Sequence, residues 1–155
     1  MQLQVAFYKG RARRFNRLVS WYTRGPYSHC ELVVQQLNAG ALCWSSSFMD
    51  GGVRLKVIQL DPAHWDLVTL EVSEATAAAA TQWFKEHEGQ GYDVQGLLGF
   101  VWRRMADDQR RWFCNEAVGA ALGIPEAWRF DPNSLWSALV FRRQTAELIS
   151  IGSKS

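Results

Sequence analysis

Long apolar runs are missing from this chain of 155 residues. None approaches the ~20 consecutive apolar residues of a membrane span, so no membrane helix is expected. The opening Met1-Gln2-Leu3-Gln4-Val5 has no basic segment leading into an apolar one. No secretory signal is read there, and a cytoplasmic location is expected. Cysteine is scarce: Cys30, Cys43 and Cys114 are odd in number and unpaired in spacing. That argues against a disulfide framework and fits a reducing compartment. Neither C-x-x-C nor H-x-x-x-H spacing occurs, so no metal is expected. Without a G-x-G-x-x-G or Walker-type loop, nucleotide chemistry lacks support, and no cofactor is expected. Seventeen basic and fifteen acidic residues leave a net charge of +2, too small to demand a polyanionic partner. Nucleic acid is therefore not expected as a partner. Repeats, linkers and low-complexity segments are also absent. The chain reads as one domain over 1–155, with 152–155 a frayed tail.

What is present is a globular composition, with 48% apolar and 21% charged residues. Alternation predicts strands over Gln2–Tyr8, Ser28–Leu37, Ala41–Ser47, Val53–Leu60 and Trp65–Val72. Between the first two, Arg13–Arg24 has helical spacing and stops at Gly25-Pro26. After residue 72 the pattern turns helical. Ser73 opens a helix that Gly89 ends, and further helices are predicted over Val94–Met105, Trp112–Leu122 and Pro132 to about Val140. Strands followed by helices indicate an α+β fold, with an antiparallel meander of about five strands packed against several helices. Eight tryptophans are numerous for this length and are first of all packing material. Arginines cluster at 11–17, 103–111 and 142–143, where the ordinary reading is solvated helix faces.

Two residues stand out chemically. Cys114 lies where a polar loop enters an apolar helix. The positive end of the helix and its unpaired N–H groups favour a thiolate, the reactive form of cysteine, and can hold an oxyanion. Most free cysteines are nonetheless small buried thiols. His29 lies in a strand, and alternation puts His29 and Glu31 on one face and Cys30 on the other. A cysteine base needs an orienting group. With the hairpin turn centred near Ala39, Ser47 falls beside Glu31; half a residue earlier, Ser46 does. Ser47 is read as the orienting residue, with Ser45 and Glu31 as alternatives. His64, in a loop, and His87, at a helix C-terminus, are weaker candidates.

Tyr27-Ser28-His29-Cys30-Glu31-Leu32-Val33 and Trp112-Phe113-Cys114-Asn115-Glu116 resemble the circularly permuted NlpC-like branch of the papain fold. That branch includes the YiiX-like proteins and, more distantly, the lecithin retinol acyltransferase family. In it a strand-borne histidine precedes a cysteine at a helix start. Small members in phage and prophage genomes are similar over Ser45–Lys56, with its Asp-Gly-Gly-Val-Arg, and over Gly91-Tyr92-Asp93. The resemblance spans roughly residues 2 to 140. It implies a permuted papain-like fold and a cysteine hydrolase or acyl transferase, with Cys114 as nucleophile and His29 as base. The third polar position maps to Ser45–Ser47, where serine replaces the histidine or amide of better-known members. Tyr92, Glu31 and Ser45 are expected to line the substrate site. A peptide, cell-wall or lipid-type acyl group is the expected substrate. The alternative is a catalytically inactive binding module using aromatic and arginine-rich surfaces.

Overall fold

Alternating side chains produce the strands that carry the site. The structure, a computed structural model, describes residues 1–10, 17, 19–21, 23–92 and 111–152, with backbone only at 92, 111 and 147–152. Five long strands are β1 (Gln2–Tyr8), β2 (His29–Leu37), β3 (Gly40–Ser47), β4 (Gly52–Ile58) and β5 (Trp65–Glu71). Two short ones follow, β6 (Gly91–Tyr92) and β7 (Arg111–Trp112). They form one sheet in the order β5-β1-β2-β3-β4-β6-β7. All long-strand pairs are antiparallel, and β6 and β7 are parallel.

The class is α+β, as expected, but the meander is shorter than predicted. β1-β2-β3-β4 run as consecutive antiparallel neighbours, but β5 crosses back to pair with β1, Val5 opposite Val68. The reason lies in β1, where Val5, Ala6 and Phe7 are all fully buried. A strand apolar on both faces is stable only inside a sheet, so β1 needs a second neighbour, and β5 supplies it.

One face of the sheet carries the main core. Leu3, Val5, Phe7, Cys30, Leu32, Trp44, Val68 and Leu70 pack there against three helices: α1 (Glu74–His87), α2 (Cys114–Ala121) and α3 (Pro132–Gly152). On α1, Ala77, Ala80 and Phe84 form the buried stripe, at the spacing of one helical face. Phe84 stacks on Trp44, with ring centroids 5.6 Å apart. The opposite face has a smaller cluster of Ala6, Val33, Ala41 and Cys43, flanked by Ile58, Leu60 and Trp65.

Two helix boundaries differ from the prediction. Trp112 belongs to β7, and the helix starts at Cys114. α3 continues past Val140 to Gly152, because no proline or glycine interrupts it before that point. Of the predicted helix Arg13–Arg24, residues 17 and 19–21 are described and helical. The predicted helix Val94–Met105 lies outside the described residues. Among the described residues, no helix is long and apolar enough to cross a membrane.

Candidate active site

The site forms where β2 begins and α2 starts. Backbone pairing of β2 with β3 ends at Leu32–Trp44, after a bulge between Val33 and Gln35. Beyond it β3 stays paired with β4, while two of its serines bond backbone carbonyls of β2 and β7. Ser45 Oγ donates to the Cys30 carbonyl at 2.7 Å, and Ser46 Oγ donates to the Trp112 carbonyl. The second bond ties the entry of α2 to the sheet. Asn115 Nδ2, donating to the Phe130 carbonyl, ties the first turn of α2 from the other side. Cys114, the first residue of α2, is thereby held over the start of β2, where it is 3% exposed.

His29 presents Nε2 to Glu31 Oε1 at 2.7 Å, and its side chain is 21% exposed. Glu31 is buried at 1%. Arg54 grips it with two parallel bonds, Nη1 to Oε2 at 2.7 Å and Nη2 to Oε1 at 2.6 Å. The outer edge of Arg54 donates from Nε to Asp50 Oδ2 at 2.9 Å, and Lys56 Nζ bonds Asp50 Oδ1 at 2.7 Å. The rings of Trp65 and His29 meet in an edge-to-face arrangement, with centroids 6.4 Å apart.

These contacts set the protonation states. The Cys30 thiol, hydrogen-bonded to Cys114, holds the Cys114 thiol well below its ordinary range; burial opposes this and the His29 charge reinforces it. Cys30 itself is pushed well up, by burial and then by the neighbouring Cys114. Burial lowers His29, but Cys114 and Glu31 more than offset it and raise the imidazole to about 10. Burial likewise opposes the Glu31 charge, and the bonds from Arg54 and His29 overcome it. The favoured state is a Cys114 thiolate beside a His29 imidazolium, with Cys30 protonated. Cys43, on the other face of the sheet, is pushed up to about 12 by burial.

No protein-family model matches the chain, and no curated protein matches it. Among solved structures it is similar to the crystal structure of the metalloprotein YiiX from Escherichia coli O157:H7, with a TM-score of 0.54 and 22% identity. The match covers 77% of this chain and 65% of that one. The chain has a YiiX-like fold. It spans just under two thirds of the YiiX chain it matches.

Within this YiiX-like fold, Cys114, His29 and Glu31 come together, whereas the serines take other roles. Ser47 pairs with Gly52 and bonds Asp50, while His29 is bonded to Glu31. The hairpin reading missed the bulge. The turn at Asn38-Ala39 alone would set Ser46 beside Glu31; the bulge moves the register one residue further, onto Ser45. Ser45 is fully buried with its hydroxyl spent on Cys30, and Glu31 is enclosed by His29 and Arg54. Neither side chain is exposed to line a substrate groove. The side chain of Tyr92 lies outside the described residues; its backbone pairs with Trp112. His64 is on the surface beside Asp61, and His87 is bonded to the Trp83 carbonyl. Sequence reasoning missed two residues. Cys30 was assigned away from His29 by alternation, yet Cys114 meets side chains from both faces of β2, whose pairing with β3 has ended there. Arg54 carried no assigned role, although strand pairing puts it opposite Ser45, on the row of Glu31.

Proposed function

We propose that the protein is a thiol hydrolase or acyl transferase that cleaves an amide or ester bond through Cys114 and His29, on a papain-like fold in permuted order. The observation that carries this reading is the hydrogen-bonded His29–Glu31 pair facing a cysteine at a helix start, with the cysteine held below its ordinary range and the histidine above it. The YiiX-like fold supports it at the level of architecture.

In this mechanism the Cys114 thiolate attacks the substrate carbonyl carbon, and the carbonyl π electrons move to oxygen. The N–H groups of the first turn of α2 face that oxyanion. As the intermediate collapses, the bond to the leaving nitrogen or oxygen breaks, and His29 gives it the proton. The acyl group stays on sulfur. His29, now neutral, takes a proton from water or an acceptor alcohol or amine, which attacks the thioester. The C–S bond breaks, and thiolate and imidazolium are restored. Glu31 orients the ring and stabilises its charge. Peptidoglycan peptides, protein peptides and lipid esters share the required carbonyl chemistry, and a cell-wall peptide is the first to test.

YiiX is described as a metalloprotein. The donors here do not fit that role: among the described residues no cluster of three or more His, Cys, Asp or Glu could hold a metal ion. Both oxygens of Glu31 are taken up by a guanidinium. No step is routed through a metal.

The test is iodoacetamide alkylation of Cys114 as a function of pH, followed by mass spectrometry, in wild type and His29→Ala. Selective reaction below pH ~7, abolished in His29→Ala, is expected, since the thiolate is the reacting form. Ordinary thiol behaviour near pH ~8.5 at all three cysteines would leave a binding module as the working model.

A further inference from the structure

We propose that Arg54 is a positioning residue for the reaction, acting through the Glu31 carboxylate to hold His29 and Cys114 as a charge pair. This rests on the thiol-hydrolase reading and extends it to a residue that touches neither substrate nor nucleophile.

Geometry carries the proposal. Glu31 is 1% exposed, and a carboxylate so buried stays ionised only if paired. Its fork-to-fork contact with Arg54 fixes both oxygens, so that Oε1 has one direction left, toward His29 Nε2. Arg54 spans the strand between them because the intervening position on its row is the small Ser45, whose hydroxyl is turned to the Cys30 carbonyl. Arg54 is itself held: its third donor, Nε, is bonded to Asp50, which Lys56 anchors in turn. Asp50 precedes the turn through Gly51 and Gly52, whose positive φ angles, 83° and 147°, bring the chain round into β4, where Arg54 is the third residue. The function of that turn is then to present one guanidinium to the back of Glu31.

The charged and titratable groups around the row come from every element packed on it. They are His29, Glu31 and Cys30 from β2, Cys43 from β3, Arg54 and Lys56 from β4, Asp50 from just before the turn, and Cys114 from α2. From Arg54 to Cys114 the charges alternate: plus, minus, plus, minus. Removing the first leaves a net negative charge in a buried cluster, which favours proton uptake and so disfavours the thiolate.

The experiment is the alkylation–pH profile of Cys114 in the full chain, for wild type, Arg54→Met and Arg54→Lys, with near-UV circular dichroism as the check on folding. Arg54→Met is expected to move the midpoint up by about one unit, slowing alkylation about tenfold on the acid side of the profile. Arg54→Lys keeps the charge but not the two-point grip, and is expected to fall between Arg54→Met and wild type. A folded Arg54→Met with the wild-type profile overturns the proposal. If Arg54→Met does not fold, a wild-type profile in Arg54→Lys overturns it. If the wild type itself lacks an acid-shifted midpoint, the thiol-hydrolase reading fails first, which separates the two failures.

Discussion

A buried carboxylate between two cations links the chemistry of this site to its stability. Glu31→Gln keeps the shape of the side chain and removes the charge, leaving Arg54, 15% exposed, without its main anion. Breaking one side of such a pair costs about 3–5 kcal/mol. A loss of that size is expected in the denaturant midpoint of Glu31→Gln, together with loss of acid-range alkylation at Cys114. Asp50 makes the contrast. It is also held down, to about 2, but its side chain is 24% exposed. Asp50→Asn is expected to cost about 1 kcal/mol or less, and less still in high salt. The strand position of His29 and the helix start at Cys114 were legible in the sequence, because both can be read locally. The partner of His29 was left open among Ser47, Ser45 and Glu31, since choosing among them requires the hairpin register. One bulge residue at Val34 was enough to move that register.

At the scale of elements, the strongest local signals correspond to observed contacts. Ser73 accepts a hydrogen bond from the Thr76 N–H at 3.0 Å, as an N-cap should. Ser73→Ala is expected to cost about 1 kcal/mol, read as a shift in thermal midpoint without change in the alkylation profile. Gly52 is a harsher constraint. A Cβ there would collide with the Gln90 carbonyl oxygen at a φ of 147°. Gly52→Ala is expected to cost about 1–3 kcal/mol from backbone conformation alone. Because Gly52 lies two residues before Arg54, it should also disturb the Cys114 profile, which Ser73→Ala should not. The composition of α1 announces its length, whereas α3 runs past its predicted end. Leu135 and Leu139 pack into the core, and nothing in the following residues breaks the helix they begin.

For the whole molecule, the charge pair predicts a pH profile of stability. His29 is raised to about 10 from an unfolded value near ~6.5, so its contribution is full below ~6.5 and is lost as pH rises toward 10. Cys114 is lowered from ~8.5, so its contribution is full above ~8.5 and is lost as pH falls through its folded value. Above ~6.5 and above the folded Cys114 value, up to ~8.5, the unfolded chain holds the thiol proton and the folded chain the imidazole proton, and the two slopes cancel. Urea denaturation is expected to give a plateau across that interval, falling on both sides. In His29→Ala the decline from ~8.5 toward 10 should become shallower, leaving the part due to the raised Cys30 and Cys43 thiols. The sequence by itself determined the α+β class, the strand and helix starts, and the placing of a cysteine at a helix N-terminus and a histidine in a strand, because caps, alternation and breakers act over a few residues. Tertiary structure alone decided that β5 pairs with β1, that Cys114 meets His29 and Cys30 together, and that Glu31 is locked by Arg54. Those contacts join residues far apart along the chain, and their geometry depends on one bulge, one crossover and the burial of a carboxylate.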